Sequence, residues 1–161
     1  MKNKFLLLVV TLGFGLNVAA QEISKNAIGL RIGDNDGFGG EISFQRALGK
    51  NNRLELDLGI RSGNNYDGFK LTGLYQWVWQ LEGDFNWYAG AGGGIGNYSY
   101  ELPTPLKDES ETFLFAAGNV GIEYNFDIPI QLSLDVRPEI GFGDFRNDLD
   151  FDLALGVRYR F

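Results

Sequence analysis

Neither cysteine nor histidine occurs in this sequence. Without cysteine there is no disulfide framework, no thiolate metal site and no lipid-anchored cysteine. Without histidine the usual general base is gone, and so is the commonest ligand for haem or zinc. Proline is scarce, at 4 residues, and 14 Lys and Arg face 21 Asp and Glu, a net charge of −7. So acidic a chain offers no basic patch for nucleic acid. Past the N-terminal region there is no apolar run of the roughly 20 residues that a membrane-spanning helix needs. What is present is glycine, at 23 residues with no fixed period, 14% aromatics and 44% hydrophobic residues. That composition excludes collagen and disorder, and the length of 161 residues suits one domain.

The N-terminus reads as an address. Lys2 and Lys4 precede the apolar stretch Phe5 to Leu16, and Val18-Ala19-Ala20 supplies small residues before Gln21. The expectation is a cleaved signal peptide at 1–20 and a mature barrel domain at 21–161. Loss of Lys2 and Lys4 leaves 12 basic against 21 acidic residues, a mature charge of −9. A mature chain without an apolar helix can enter a bilayer only as a closed barrel.

The stretch DFDLALGVRYRF, Asp150 to Phe161, alternates strictly. Phe151, Leu153, Leu155, Val157, Tyr159 and Phe161 take one parity, and Asp152, Ala154, Gly156, Arg158 and Arg160 the other. A period of two is a strand with one apolar and one polar face. Seven earlier segments repeat it: Lys25 to Gly33, Gly40 to Leu48, Arg53 to Arg61, Phe69 to Leu81, Phe85 to Tyr100, Thr112 to Phe126 and Ile130 to Phe142. Short turns starting at Gly49, Glu82 and Asp127 alternate with longer loops starting at Asp34, Ser62, Glu101 and Gly143. An even count of strands with a long–short rhythm predicts an all-β, eight-stranded antiparallel up-and-down transmembrane β-barrel. Pro138, inside the seventh segment, predicts a bulge, a kink or a nearby strand end, because proline donates no ladder hydrogen bond.

Orientation of the two faces decides the function class. The polar parity carries Arg31, Arg61, Lys70, Arg137, Arg158 and Arg160, and with them Glu41, Glu55, Asp57, Glu123, Asp135, Glu139 and Asp152. Six cations against seven anions suit a narrow interior, where an unpaired ion is costly. Tyr88, Leu74 and Gln76 are expected to fill the same space. The apolar parity has its aromatics toward the segment ends. Trp77, Trp79, Trp87, Tyr124, Phe126, Tyr159 and Phe161 lie near the short turns, and Phe142 and Phe151 near the longer loops. Two such sets predict aromatic girdles at the two membrane interfaces. The same alternation also fits a soluble periplasmic barrel that binds an apolar ligand, since periodicity does not say which face is inside.

The eight segments, the terminal LGVRYRF and the stretches WYAGAGGGIG (Trp87 to Gly96) and GIEYNFDIPIQLSLDVRPEI (Gly121 to Ile140) resemble the small outer-membrane β-barrel family of the OmpA/OmpX kind. That resemblance implies a porin-like fold in the outer membrane of a Gram-negative cell. It implies partners in outer-membrane lipid and lipopolysaccharide, and in the barrel-assembly machinery, which reads a C-terminal signal like Tyr159-Arg160-Phe161. A monomer is expected. Enzymes among small outer-membrane barrels use a catalytic histidine, which this chain lacks, and none of its serines sits in a G-x-S-x-G elbow. No catalytic residue, cofactor or metal site is therefore expected. The Gly90 to Gly96 run lacks the Lys-Ser/Thr and helix of a phosphate loop, and reads as room for interior side chains. Asp34-Asn35-Asp36-Gly37 lacks the distal glutamate of a calcium loop and reads as a turn. The loop acids Asp34, Asp36, Asp67, Asp108, Glu109, Glu111, Asp144 and Asp148 outnumber Lys107 and Arg146, forming an acidic rim. The expected function is a non-enzymatic integral outer-membrane protein with a charge-plugged interior and a structural or loop-mediated role. A narrow outer-membrane pore is the other membrane reading, and eight strands leave little room for one.

Overall fold

Alternation in the sequence becomes eight strands: β1 (Asn26–Gly33), β2 (Gly40–Ala47), β3 (Asn52–Ser62), β4 (Tyr66–Glu82), β5 (Phe85–Tyr100), β6 (Glu109–Asn125), β7 (Ile130–Phe142) and β8 (Leu149–Arg160). The computed structural model describes residues 23–33, 39–62, 66–100, 109–142 and 148–161. The expected signal peptide at 1–20, the expected turn at 34–37 and the expected loop stretches 101–108 and 143–147 lie outside the described residues. Every strand pairs antiparallel with its sequence neighbour, and β8 returns to β1. The fold is a closed, up-and-down, eight-stranded barrel.

Strand bounds follow the alternation closely, with two informative differences. β4 begins at Tyr66 rather than Phe69, and β6 at Glu109 rather than Thr112. The added residues Asp67 and Ser110 pair in the ladder but are polar on the outward face, so no apolar alternation marks them. β4, β5 and β6, of 17, 16 and 17 residues, therefore outreach the 8-residue β1 and β2.

Register sets the tilt. From Ile28 the cross-strand partners run Phe44, Leu56, Gly73, Gly93, Ala116, Ile140 and Leu149. The β8–β1 register then carries this walk back onto the line of β1 ten residues beyond its start. That stagger is the barrel shear, and with eight strands it fixes an interior that side chains just fill.

The turns are tight at the end where Asn26 and Phe161 meet. Their backbones exchange hydrogen bonds of 3.0 and 2.9 Å, continuing the β1–β8 seam. Gly83 turns the chain between β4 and β5 with φ of 53°, a conformation that costs glycine little. The Gln80 amide donates to its carbonyl at 2.7 Å, and the ladder slips one residue between Gln80 and Glu82.

Pro138 produces neither a register shift nor a strand end. β7 continues to Phe142, and pairing with β6 keeps one register from Leu114↔Phe142 to Asn125↔Gln131. What is missing is local: the ladder omits Gly118 opposite Pro138 and Asn119 opposite Arg137. Both pairs depend on a Pro138 N–H reaching the Gly118 carbonyl, and proline has none. The ring instead lies over Gly118, where a side chain would meet Pro138 Cγ at 3.7 Å. A closed ladder on both sides tolerates one lost bond without slipping.

Candidate functional site

The interior is the site that this fold builds. Strand parity turns one residue in two inward, and the inward set is ionic. Arg31, Glu41, Glu55, Asp57, Lys70, Glu123, Asp135, Arg137, Glu139, Asp152 and Arg158 are all buried. Coulomb attraction in so enclosed a space is strong, but each ion has also lost its water, so the geometry of its partners decides whether it is tolerated.

Two guanidinium groups organise the centre. Arg31 on β1 reaches Asp135 at 2.6 Å, Glu41 at 3.1 Å, and Asp152. Arg137 on β7 reaches Glu41 at 2.7 Å, Glu139 at 2.9 Å, Asp57 at 3.0 Å and Asp152 at 3.4 Å. Glu41 and Asp152 thus bridge the two arginines. The planar fork of arginine suits this, because its five N–H donors serve several carboxylates at fixed angles. Lys70 donates to both oxygens of Glu139, at 2.7 and 2.8 Å, and lies 5.0 Å from the centre of the Phe115 ring.

A second set lies toward the tight turns. Arg158 bonds Glu55 at 3.1 Å, Ser43 at 2.9 Å and Ser133 at 2.8 Å. Arg53 meets Glu123 at 2.7 Å and Gln76 at 2.5 Å, and stacks 4.8 Å over the Tyr88 ring. Neutral donors complete the acids: Gln45 to Glu55, Asn86 to Glu123 at 3.1 Å, and the Tyr88 hydroxyl to Asp135 at 3.1 Å. Among the described residues the buried ions number five cations, Arg53 included, against seven anions. The excess of acids explains why amides and a phenol are recruited as donors.

One of the expected interior cations sits elsewhere. Arg160 is half-buried at the turn end and donates to the carbonyls of Phe126 and Ile128, at 2.5 and 3.0 Å. It holds the β6–β7 turn rather than joining the ion network, because β8 runs out of barrel wall there. Arg61, near the loop end of β3, is half-buried.

Other interior residues escaped the sequence reading. Arg53 shares parity with Glu55 and Asp57, and the two-residue spacing marks it. Phe113 and Phe115 share parity with Ala117 and Asn119, and with Tyr98 and Leu74 they form the one apolar cluster of buried residues described. Their sign in the sequence is the opposite strand. A side chain on Gly94 would strike the Phe115 ring at 2.4 Å, and one on Gly96 the Phe113 ring at 2.2 Å. The β5 glycines are recesses for the aromatics of β6.

The outward face is apolar. Leu30, Ile42, Leu58, Leu71, Leu114, Leu134 and Leu155 are exposed, and so are Phe142 at 59% and Phe151 at 61%. Around the tight-turn end Trp79 stacks on Trp87 at 4.4 Å between ring centres, Phe85 packs against Tyr124 at 4.6 Å, and Tyr124 meets Phe126 edge-on at 4.7 Å. Trp77 meets Tyr75 at 5.0 Å, and Tyr159 stacks with Phe161 at 6.2 Å. Among the described residues no helix is long and apolar enough to cross a membrane, and no group of His, Cys, Asp and Glu is arranged to hold a metal.

No protein-family model matches the chain, and no curated protein matches its sequence. Solved structures do match in shape. The N-terminal β-barrel domain of Pseudomonas aeruginosa OprF superimposes with a TM-score of 0.66 at 14% identity, covering 88% of this chain and 100% of that one. Neisserial surface protein A gives 0.58 at 15%, covering 84% and 94%. Ail, the attachment invasion locus protein of Yersinia pestis, gives 0.57 at 16%, covering 86% and 97%. At such identities the likeness is one of architecture: the chain has the fold of the small eight-stranded outer-membrane β-barrels.

Proposed function

We propose that the mature chain is a non-enzymatic integral outer-membrane protein whose interior is plugged by its own ions and whose role is structural or loop-mediated. The observation that carries this reading is the inverted distribution of polarity. Arg137, Lys70, Glu139 and Asp152 have no exposed surface, while Ile60 is 66% exposed and Leu153 59%. In water that arrangement would cost twice, burying ions and hydrating hydrocarbon. In a bilayer the outward face meets acyl chains and the closed ladder leaves no backbone edge. The chain's lipid surroundings, its insertion by the barrel-assembly machinery through β8 and its monomeric state belong to the same proposal. So does the leader at 1–20.

The soluble alternative requires an apolar cavity. The ion network occupies the middle of the barrel, and the apolar cluster around Phe113 and Phe115 is filled by its own rings. The test is partition. The mature protein should enter the detergent phase, resist urea extraction from membranes and migrate differently on gels before and after heating. Spin labels at Leu132, Leu155 and Val157 should respond to lipid-soluble relaxants. Recovery in the soluble periplasmic fraction, with those labels meeting only aqueous relaxants, would refute the reading.

A further inference from the structure

The interior carboxylates are unequally supplied with donors. Asp135 takes Nε and Nη2 of Arg31 and the Tyr88 hydroxyl. Glu139 takes Lys70 on both oxygens and also meets Arg137. Glu41 and Asp152 each meet both central arginines. Glu123 has Arg53 and Asn86, and Glu55 has Arg158 and Gln45. Asp57 on β3 has one donor among the described residues. It is Arg137 Nη1 at 3.0 Å, from a guanidinium that also serves Glu41, Glu139 and Asp152.

That bond goes to Asp57 Oδ2. Asp57 Oδ1 has no hydrogen-bond partner among the described residues, and packing leaves it no surface for a water to touch. A bare carboxylate oxygen in such a place is costly. The surrounding charges add to the cost. Glu55 lies two residues away on the same inward parity, with its own Oε1 unpartnered, and Glu41 acts on Asp57 from β2. Arg137 from β7 and Arg158 from β8 oppose these acids, but Arg158 is engaged with Glu55, Ser43 and Ser133. Lys70 on β4, one inward position along from Thr72, is held by Glu139. Directly opposite Asp57 stand Ser43 on β2, bonded to Arg158, and Thr72 on β4, whose buried hydroxyl has no partner.

We propose that Asp57 is a proton-binding site, holding a proton on Oδ1 at neutral pH as a neutral carboxyl within the ion network. A proton needs no room, so it suits an oxygen that no water can reach. It turns Oδ1 into a donor, with the Thr72 oxygen within cross-strand reach as acceptor, and leaves Oδ2 as the carbonyl oxygen that accepts from Arg137. It removes the repulsion from Glu55 and Glu41 and cuts the excess of buried acids from two to one. When the O–H bond breaks and the proton leaves to solvent, two like charges stand side by side on β3. Arg137 then has a fourth full charge to serve. The folded chain binds one proton more than the unfolded chain does, so from neutrality upward stability falls as pH rises until that proton is lost. The plug is tightest with the proton on. None of this depends on what surrounds the outer wall, so the site stands apart from the membrane reading.

The test is infrared spectroscopy of the full mature chain refolded in detergent micelles, with and without carbon-13 in the aspartate carboxyls. At neutral pH wild type should show the C=O stretch of a protonated carboxyl, and the label should shift it. The band should vanish in Asp57→Asn or, should that variant not refold, in Asp57→Ser. It should persist in Asp135→Asn. The urea midpoint of wild type should fall from neutral to alkaline pH, and Asp57→Asn, which imitates the neutral carboxyl, should lose that fall. Asp135→Asn, which strips Arg31 and Tyr88 of an acceptor, should lower the midpoint at neutral pH as well. Absence of the band at neutral pH overturns the proposal. A band that the aspartate label leaves in place, or that survives both Asp57 variants, puts the proton on another group and overturns Asp57 as its site. An alkaline fall of the same size in Asp57→Asn overturns the link between that proton and the plug.

Discussion

At the scale of single residues, the interior ions are not interchangeable. Among the described residues Arg137 serves four carboxylates, whereas Lys70 serves Glu139 alone, which keeps Arg137 as a second partner. Arg137→Met leaves Glu41, Asp57, Glu139 and Asp152 short of charge, and should cost about 3–5 kcal/mol, the scale of breaking a buried pair. Lys70→Met should cost clearly less. Urea unfolding of the refolded barrel in lipid vesicles measures both, and equal losses would refute the hierarchy. The β5 glycines should rank in the same way. An added methyl at Gly94 meets the Leu71 carbonyl at 2.1 Å, which is backbone, whereas at Gly96 it meets only the far end of Phe113. Gly94→Ala should therefore cost about 1–3 kcal/mol and Gly96→Ala less, because a ring can swing and a ladder cannot. These details were half legible in the sequence. Parity alone assigned Arg31, Glu41, Glu55, Asp57, Lys70, Glu123, Asp135, Arg137, Glu139, Asp152 and Arg158 to one face. It could not say which cation meets which anion, since that depends on shear, a property of all eight strands together. Nor did it separate Arg160 from the network, because alternation continues past the point where the barrel wall ends.

At the scale of strands, alternation gave the count of all eight and the bounds of six to within a residue, since a half-apolar surface enforces its own period. It failed where the outward residues turn polar, at the loop ends of β4 and β6. Pro138 is the element-level surprise. Sequence reasoning expects proline to bend or end a strand, yet a strand bonded on both sides holds its register. Restoring the donor with Pro138→Val should return the Gly118 ladder bond. The gain should be about 0.5–1.5 kcal/mol, with slower amide exchange along β6 and β7. An unchanged urea midpoint would show that the Pro138 ring over Gly118 already compensates for the missing bond.

At the scale of the whole molecule, the outward face is the quantity under test. Leu134 and Leu155 are cross-strand partners on the outer wall of β7 and β8, 43% and 52% exposed. In water, Leu134→Arg would be close to neutral. In a bilayer it should cost about 2–4 kcal/mol if it lies near the midplane. A vesicle unfolding titration separates the two, and a neutral result would count against lipid contact. The ion-filled lumen makes a second molecular statement. Planar-bilayer recordings should show no stable, large conductance, and a steady open level would require the Arg31–Arg137 cluster to part.

The β1–β8 seam has a consequence for assembly. Asn26 and Phe161 exchange backbone hydrogen bonds, yet the other six strands lie between them in the chain. Until β8 arrives, the growing sheet carries two raw margins, and oil cannot wet either. A stepwise, strand-by-strand entry into the hydrocarbon is therefore forbidden to this molecule. On the proposed membrane reading, closure of β8 onto β1 has to coincide with entry, so that neither margin is left bare.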